Sequence, residues 1–365
     1  MSYDFYANIK IQNEEDIDNL ISGHNEFVSF EDVFMRAIAL ANCLGSNLKD
    51  YAKVGQRSSS SGLKALIHSN GNYTDYLKCK ISKLNLLGIN CAPDISSLPE
   101  GSWYIQIPVT LKTPYYSKDD VPLYIIENPI RKDKVFGIPF TSAMSWKGNL
   151  RWTMMKTALE PAKDNSAEFA KTRFRHTLLF GTEKGMEETP TGWAEYLDNL
   201  CNNAKEEYRK KLREYFDAQE SPSLAGMLYF YPTFWNRIDM MVINPHDRKT
   251  KTGKNPIYYE VVPEGAKGIF RLLYIPLHYI GRYESTKLYD NVKSDLKSVI
   301  EGLEAMMLTY GFSAKKSLGY GVVEDKWDRE QSRIAVKTSK KSTYEDKFEN
   351  FEILKDSVNK ILEER

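Results

Sequence analysis

From Gly101 onward, strand-like and helical runs alternate in a fixed order, and this order restricts the folds open to the chain more than any other feature. Trp103 to Leu111 and Leu123 to Ile126 are rich in Ile, Val, Tyr and Trp, residues that suit a pleated, half-buried surface. Ser145 to Leu159 reads as a helix, with Trp146, Leu150, Thr153 and Met154 on one face and Pro161 ending it. Strands return at Gly226 to Tyr231, Ile238 to Ile243 and Gly268 to Leu277. A second helix, Leu288 to Tyr310, keeps Val292, Leu296, Val299, Ile300, Leu303 and Met307 at helical spacing. Strands, helix, strands, helix is the pattern of an α+β sandwich.

The flanks are less regular. A short strand from Tyr3 to Ile11 and a helix from Phe30 to Leu44, capped by Ser29, precede a flexible run at Arg57 to Gly62, and Cys91 to Leu98 shows no period. A loop-rich subdomain is expected over residues 1–100. The core is expected over 101–325, with an insertion around 185–225 that holds a charged helix, Tyr196 to Glu220. The mixed signs of that helix suit a solvated face. Residues 326–365 read as a linker with a polar tract, Lys337 to Ser342, and a terminal packing or partner-binding helix, Tyr344 to Leu362.

With 365 residues, 42% of them hydrophobic, the chain can bury a substantial core. Its 50 basic and 49 acidic residues leave a net charge of +1, which excludes a uniformly basic nucleic-acid binder and requires any phosphate contact to come from a local patch. Cys43, Cys79, Cys91 and Cys201 form no CxxC pair, arguing against a zinc knuckle or a disulfide scaffold and for a reduced, cytoplasmic setting. No basic and then apolar leader opens the sequence, and no apolar run reaches the roughly 18 positions of a membrane span. No membrane partner is expected.

Two stretches carry the chemistry. Gly137 to Arg151 is a strand end and small-residue turn entering a helix, with Lys147 and Arg151 in its first turns. Such a junction offers backbone N–H groups, a positive helix terminus and two cations to a phosphate. Arg131, Lys132, Lys134 and Lys156 extend this local basic patch, opposed only by Asp133 between Asn128 and Lys156. The alternative is a solvated helix face beside a loop. The second stretch, Gly311 to Gly321, follows a helix directly. Gly311, Gly319 and Gly321 let a backbone approach a bulky polyanion, while Lys315, Lys316 and Ser317 supply charge and hydrogen bonds. It lacks the Gly-Lys-Ser/Thr of a Walker loop, and by itself it could be a C-cap glycine followed by a hairpin.

Taken together, these stretches resemble the RAMP superfamily of CRISPR-associated proteins, which typically carry a Pro-Gly-Ser-Ser-Leu-Lys-Gly-Ala-Leu-Arg-like segment, a Phe-Gly-Thr/Ser segment and a C-terminal glycine-rich loop. Ser142 to Arg151, Leu179-Phe180-Gly181-Thr182 and Gly311 to Gly321 stand in that order, although Ser142, Ala143 and Met144 replace the usual proline, glycine and serine. Asp239 to His246 and Pro256 to Val262 are similar to segments of the cap subunit of Cmr-type, type III effectors. The resemblance spans roughly residues 101–325. It implies a ferredoxin-like, RNA-recognition-type core with helical insertions, serving as a cap or backbone subunit of an RNA-guided type III complex. The implied partners are guide RNA, target RNA and sister subunits.

Catalytic backbone subunits of such complexes place an aspartate in the loop after the first core strand, which is thought to act with a divalent metal such as Mg²⁺ on target RNA. The matching loop here, Thr113 to Asp120, makes Asp119 and Asp120 the candidates, either as metal-orienting groups or as helpers of a ribose 2′-hydroxyl attack. Adjacent carboxylates in a loop also serve as turn formers. No other cofactor is implied. A rival enzyme reading, a guide-precursor-processing endoribonuclease, would use a histidine among His24, His68, His176, His246 and His278, each of which also suits a structural role. A third reading is a protein-only scaffold.

Overall fold

The computed structural model of the chain describes residues 9–24, 32–56, 61–68, 71–183, 191–217, 223–246, 249, 253, 256–339 and 342–363. Between residues 14 and 86 the described chain is mainly helical: α1 (Glu14–Ser22), α2 (Val33–Ala39), α3 (Lys49–Val54), α4 (Gly62–Leu66) and α5 (Gly71–Leu86). The loop-rich expectation is corrected there, whereas residues 87–100, with Cys91 to Leu98 among them, hold no helix or strand. Most of these helices are too short for a periodic stripe to stand out, and caps and tertiary contacts fix them instead. Asn13 and Asp16 form a reciprocal cap at the start of α1. Asp32 caps α2, and it also accepts hydrogen bonds from Tyr76 (2.8 Å) and Lys80 (3.0 Å) of α5. Tyr3 to Asn8, Ser29 and Arg57 to Ser60 lie outside the described residues, and Ile9 to Ile11 form no strand.

β1 (Trp103–Thr110) occupies the middle of a five-stranded sheet and is buried on both faces. Then follow β2 (Phe140–Thr141), α6 (Ala143–Met154), α7 (Ser166–Phe180), α8 (Gly192–Leu200), α9 (Lys205–Phe216), β3 (Leu228–Phe230), β4 (Thr233–Phe234), β5 (Asp239–Ile243), β6 (Ile257–Val261), β7 (Lys267–Tyr274), α10 (Ser285–Glu304), β8 (Arg333–Lys337), β9 (Thr343–Asp346) and α11 (Phe351–Glu363). The sheet order is β3-β7-β1-β8-β9, with every pair antiparallel. Taken as β1-α6-β3, then β7-α10-β8, it contains two interleaved split β-α-β units, the ferredoxin-like arrangement. Pro108 is tolerated in a central strand because the β8 pairing spans only Trp103 to Gln106.

The sheet and its two helices make the main core. The Trp146 ring meets Phe270 of β7 edge-on, with centroids 4.9 Å apart, and Tyr274 donates to the buried Asp295 of α10 at 2.8 Å. Gly302 lets α10 lie directly on α6, since a Cβ there would stand 2.6 Å from Met154 Cγ. On the other sheet face, the segment after α5 covers Tyr104, Leu273 and Ala335 with Ile95. The buried Arg271 there donates to Asn90 Oδ1 at 2.5 Å and to its carbonyl at 2.8 Å. α7, α8 and α9 carry a satellite core around Phe169, Leu197, Tyr208 and Leu212.

Several boundaries differ from the sequence reading. Residues 333–343, read as linker, and 344–346, read as the start of the terminal helix, supply two strands to the central sheet, and the helix itself begins at Phe351. Leu123 to Ile126 forms no strand: Leu123 is an exposed turn residue at φ 56°, and Tyr124, Ile125 and Ile126 after it are buried. The charged helix is two helices, α8 and α9, parted at Cys201 where φ is −147° and ψ 82°. α7 was not anticipated, because buried charges interrupt its apolar stripe.

Candidate nucleic-acid interface

α6 begins where Ser142 accepts a hydrogen bond from the Ser145 N–H at 3.1 Å. Trp146 and Leu150 plunge into the core and orient the helix, and the exposed Met144 and Gly148 mark its outer side. Lys147 is half-buried, and its pKa is lowered first by burial and then by the neighbouring Arg151 charge.

The glycine-rich loop is held by the segment after β1. Ser313 Oγ accepts from the Tyr116 N–H at 2.7 Å, Ala314 N–H donates to Tyr116 O at 2.9 Å, and Thr113 Oγ1 donates to Gly319 O at 2.7 Å. At Gly311, with φ +72°, a Cβ would stand 2.4 Å from Tyr320 O, so only glycine permits this closure. Lys315, at φ +64°, points its ammonium over the rings of Tyr259 (4.2 Å) and Tyr116 (5.5 Å). Ser317 and Gly319 are exposed.

The two distant stretches meet. Asn149 Nδ2 donates to Phe312 O at 3.1 Å, the Trp146 and Phe312 rings lie 4.3 Å apart, and Lys316 Nζ lies 4.3 Å from the centroid of the Trp152 ring. Burial lowers the pKa of Lys316. The glycine loop and Lys316 therefore lie against the Asn149 and Trp152 side of α6, Lys315 turns over Tyr259 and Tyr116, and Lys147 neighbours Arg151 on the same helix. Arg151 turns inward instead, donating to Gly181 O at 3.3 Å and lying 3.9 Å from the buried Glu183. It thereby ties α6 to the Phe-Gly-Thr segment, and its pKa is lowered by burial, which outweighs Glu183.

The rest of the sequence-assigned patch is divided. Arg131 is exposed. Lys132 is 4% exposed and pairs with the fully buried Glu260, which corrects its assignment as a surface phosphate contact. Glu260 also accepts from Tyr124 (2.7 Å), the Ile130 N–H (3.1 Å) and His68 Nε2 (3.1 Å). Burial pushes this carboxyl up, but Lys132 and His68 outweigh it and hold it at about 2. Asp119 is buried and its Oδ2 accepts from Lys134 at 2.8 Å, while Asp120 is exposed. Among the described residues no group of three or more His, Cys, Asp or Glu could hold a metal ion.

Among the histidines, His176 is buried, donates from Nε2 to Arg151 O at 3.2 Å and is depressed to about 3 by burial and by the Arg151 and Arg173 charges. His278 bonds Ala225 O at 2.8 Å, and His24 and His246 are exposed. Sequence reading missed Trp152, Tyr116 and Tyr259 at the interface. Trp152 was detectable, because it falls off the stripe made by Trp146, Leu150, Thr153 and Met154.

A family profile described as the RAMP superfamily matches residues 108–324. Among solved structures, the chain is similar at 14% identity to a protein of a type III-B Cmr-beta complex bound to cognate target RNA, with a TM-score of 0.43 and coverage of 90% of this chain and 100% of that one. It is also similar to a chain of the Csm3–Csm4 subcomplex of a type III-A CRISPR-Cas interference complex (14% identity, TM-score 0.35, 71% and 95% covered). A third likeness is to Cmr6 from Pyrococcus furiosus (14%, 0.30, 61% and 97%). No curated protein sequence matches. With the profile covering more than half of the chain, and with the strand order that its sheet displays, this chain belongs to the RAMP superfamily.

Proposed function

We propose that the protein is a guide-RNA-binding subunit of a type III CRISPR interference ribonucleoprotein, most like the cap subunit, working beside sister subunits and target RNA. The observation that carries this reading is the convergence of α6 and the glycine-rich loop, joined by Asn149 and Phe312. It brings Lys316 against the helix that also carries Lys147, which supports a grip on a sugar-phosphate strand. Arg151 supports this face from within rather than lining it. A cytoplasmic setting accompanies the reading, and no described helix is long and apolar enough to cross a membrane.

Target cleavage through Asp119 or Asp120 is the weaker reading, because Lys134 occupies Asp119 and Asp120 has no third ligand beside it among the described residues. Guide processing by a histidine is weaker still: His176 is held neutral and bonded to a main-chain carbonyl.

The test is binding of a guide-length single-stranded RNA across a salt series. Lys147→Ala and Lys316→Ala should each weaken binding and reduce the salt slope by about 0.7, the share of one single-strand phosphate. Lys147→Ala with Arg151→Ala should weaken it further, by loosening α6. Affinity unchanged in all three would remove the phosphate role, and absence of any RNA binding would favour the protein-only scaffold.

A further inference from the structure

The C-terminal end of α5 carries large aliphatic side chains that the fold does not use. The helix closes on Gly88, at φ +72°, where the Ile89 N–H donates to Leu84 O and the Gly88 N–H to Asn85 O, both at 3.0 Å. This pair of hydrogen bonds is a Schellman end, which fixes the last turn and calls for apolar residues at Leu84 and Ile89. It calls for none at Leu86 and Leu87. Leu84 is buried, whereas Leu86, Leu87 and Ile89 are 86%, 64% and 49% exposed. The other exposed positions of α5, with Lys78, Ser82, Lys83 and Asn85 among them, are polar or small, so the apolar patch is confined to this end.

A cleft of about 310 Å³ opens between α5 and the sheet, and Asn85 and Asn90, which bracket the patch, both line it. Its apolar lining comes from Ile81 of α5, Pro108 of β1, Ile269 of β7 and Phe234 of β4. A pocket beside exposed aliphatic side chains is the anatomy of a protein interface, in which one bulky anchor fills the pocket and the surroundings exclude water. The charge around it is positive. Lys267 lines the cleft, and Lys83 stands one helical turn before Leu86 and Leu87. Lys78 and Lys80 are paired with Asp75 and Asp32, but Lys83 and Lys267 are exposed and make no ion pair among the described residues. The acidic group in the lining, Asp328, is already bonded by the Glu330 N–H at 3.0 Å and by Gln331 Nε2 at 2.8 Å. A nucleic-acid strand is a poor match, because the aromatic ring it would find there, Phe234, already stacks on Phe140, and exposed leucines gain nothing from phosphates.

We propose that this end of α5 and the adjoining cleft dock a sister protein subunit through an apolar segment with acidic flanks, whose anchor side chain enters the cleft and whose carboxylates meet Lys83 and Lys267. This rests on the reading of the chain as a subunit of a ribonucleoprotein and adds to it the chemistry of one neighbour. It gives the helices before β1, which lie outside the residues matched by the family profile, a task of their own: attachment rather than RNA grip.

The experiment purifies the particle through a tag on the full chain, treats it with a carbodiimide, which joins lysines to carboxylates in direct contact, and identifies the joined peptides by mass spectrometry. Lys83 or Lys267 should be joined to an Asp or Glu of a different subunit. In particles rebuilt from the co-purified subunits, Leu86→Asp with Leu87→Asp should weaken incorporation of the chain on the order of tenfold, with RNA affinity and thermal midpoint of the isolated chain at wild-type values. Lys83→Glu with Lys267→Glu should slow association at low salt and flatten its dependence on salt. Full incorporation of the leucine variant would overturn the docking site while leaving the RNA grip standing. Joined peptides confined to copies of this chain would overturn the choice of partner, and faster association of the lysine variant would overturn its acidic flanks. A wild-type chain that purifies with no other subunit would overturn the ribonucleoprotein reading and the docking site together.

Discussion

Asn149 Nδ2 donates to the main-chain carbonyl of Phe312 at 3.1 Å, a single hydrogen bond that closes a separation of 163 residues and locks a helix to a loop. The same side chain also donates to Ser145 O at 2.8 Å, so both of its amide hydrogens are committed. Asn149→Leu leaves the Phe312 carbonyl without that donor and should cost about 1–2 kcal/mol. Urea denaturation would read it as a lower midpoint, and RNA affinity should fall as the loop loosens. An unchanged midpoint would show that the loop is held by Tyr116 and Thr113 alone.

Glu260 fastens three regions at once, through His68 after α4, Tyr124 and Lys132. Glu260→Gln strands the buried Lys132 ammonium, which should cost about 3–5 kcal/mol. Lys132→Met in the Glu260→Gln background should recover part of that loss, because the unpaired charge is gone. A double variant no more stable than Glu260→Gln would argue that Lys132 is not the penalised group.

His176 makes stability depend on pH. Its folded-state pKa is about 3 against an ordinary 6.5, so the unfolded chain takes up the proton first as the solution is acidified. The contribution is complete above pH 6.5 and declines as pH falls toward 3. Wild type should lose on the order of 1–2 kcal/mol between about pH 6.5 and 5, and His176→Gln should show a flatter profile over the same interval. Parallel profiles for the two proteins would remove His176 as the source.

Asp119 and Asp120 are separable by their surroundings. Asp119→Asn breaks a pair whose Lys134 side chain is 67% exposed, and stability should change by less than about 1 kcal/mol. In an assembled particle, Asp119→Ala and Asp120→Ala should leave cleavage of labelled target RNA at the wild-type rate. Abolished cleavage with RNA binding retained would return the two carboxylates to a catalytic role.

Much of the fold was legible from residue order. β1, β7, α6 and α10 carry long, strongly periodic apolar runs, and each formed close to its expected span. What stayed hidden was decided by tertiary contact. The Arg-Ile-Ala-Val-Lys run of β8 is too short to stand out until β1 pairs with it, and the helices of the first hundred residues depend on bonds such as Asp32 to Tyr76. At the interface, the types and order of Lys147, Lys315 and Lys316 were visible. The direction of a side chain was not: Lys132 and Arg151 look alike in a basic run, yet Glu260 and Glu183 draw both inward. Trp152 was visible only as an aromatic off the helical stripe.

The most direct measurement is photocrosslinking of a 4-thiouridine-containing guide-length RNA to the full chain, with the attached peptides identified by mass spectrometry. A single cradle predicts crosslinks in both residues 142–156 and 311–321, each suppressed by Lys147→Ala with Lys316→Ala. Crosslinks confined to other surfaces, or to only one of these two stretches, would contradict it.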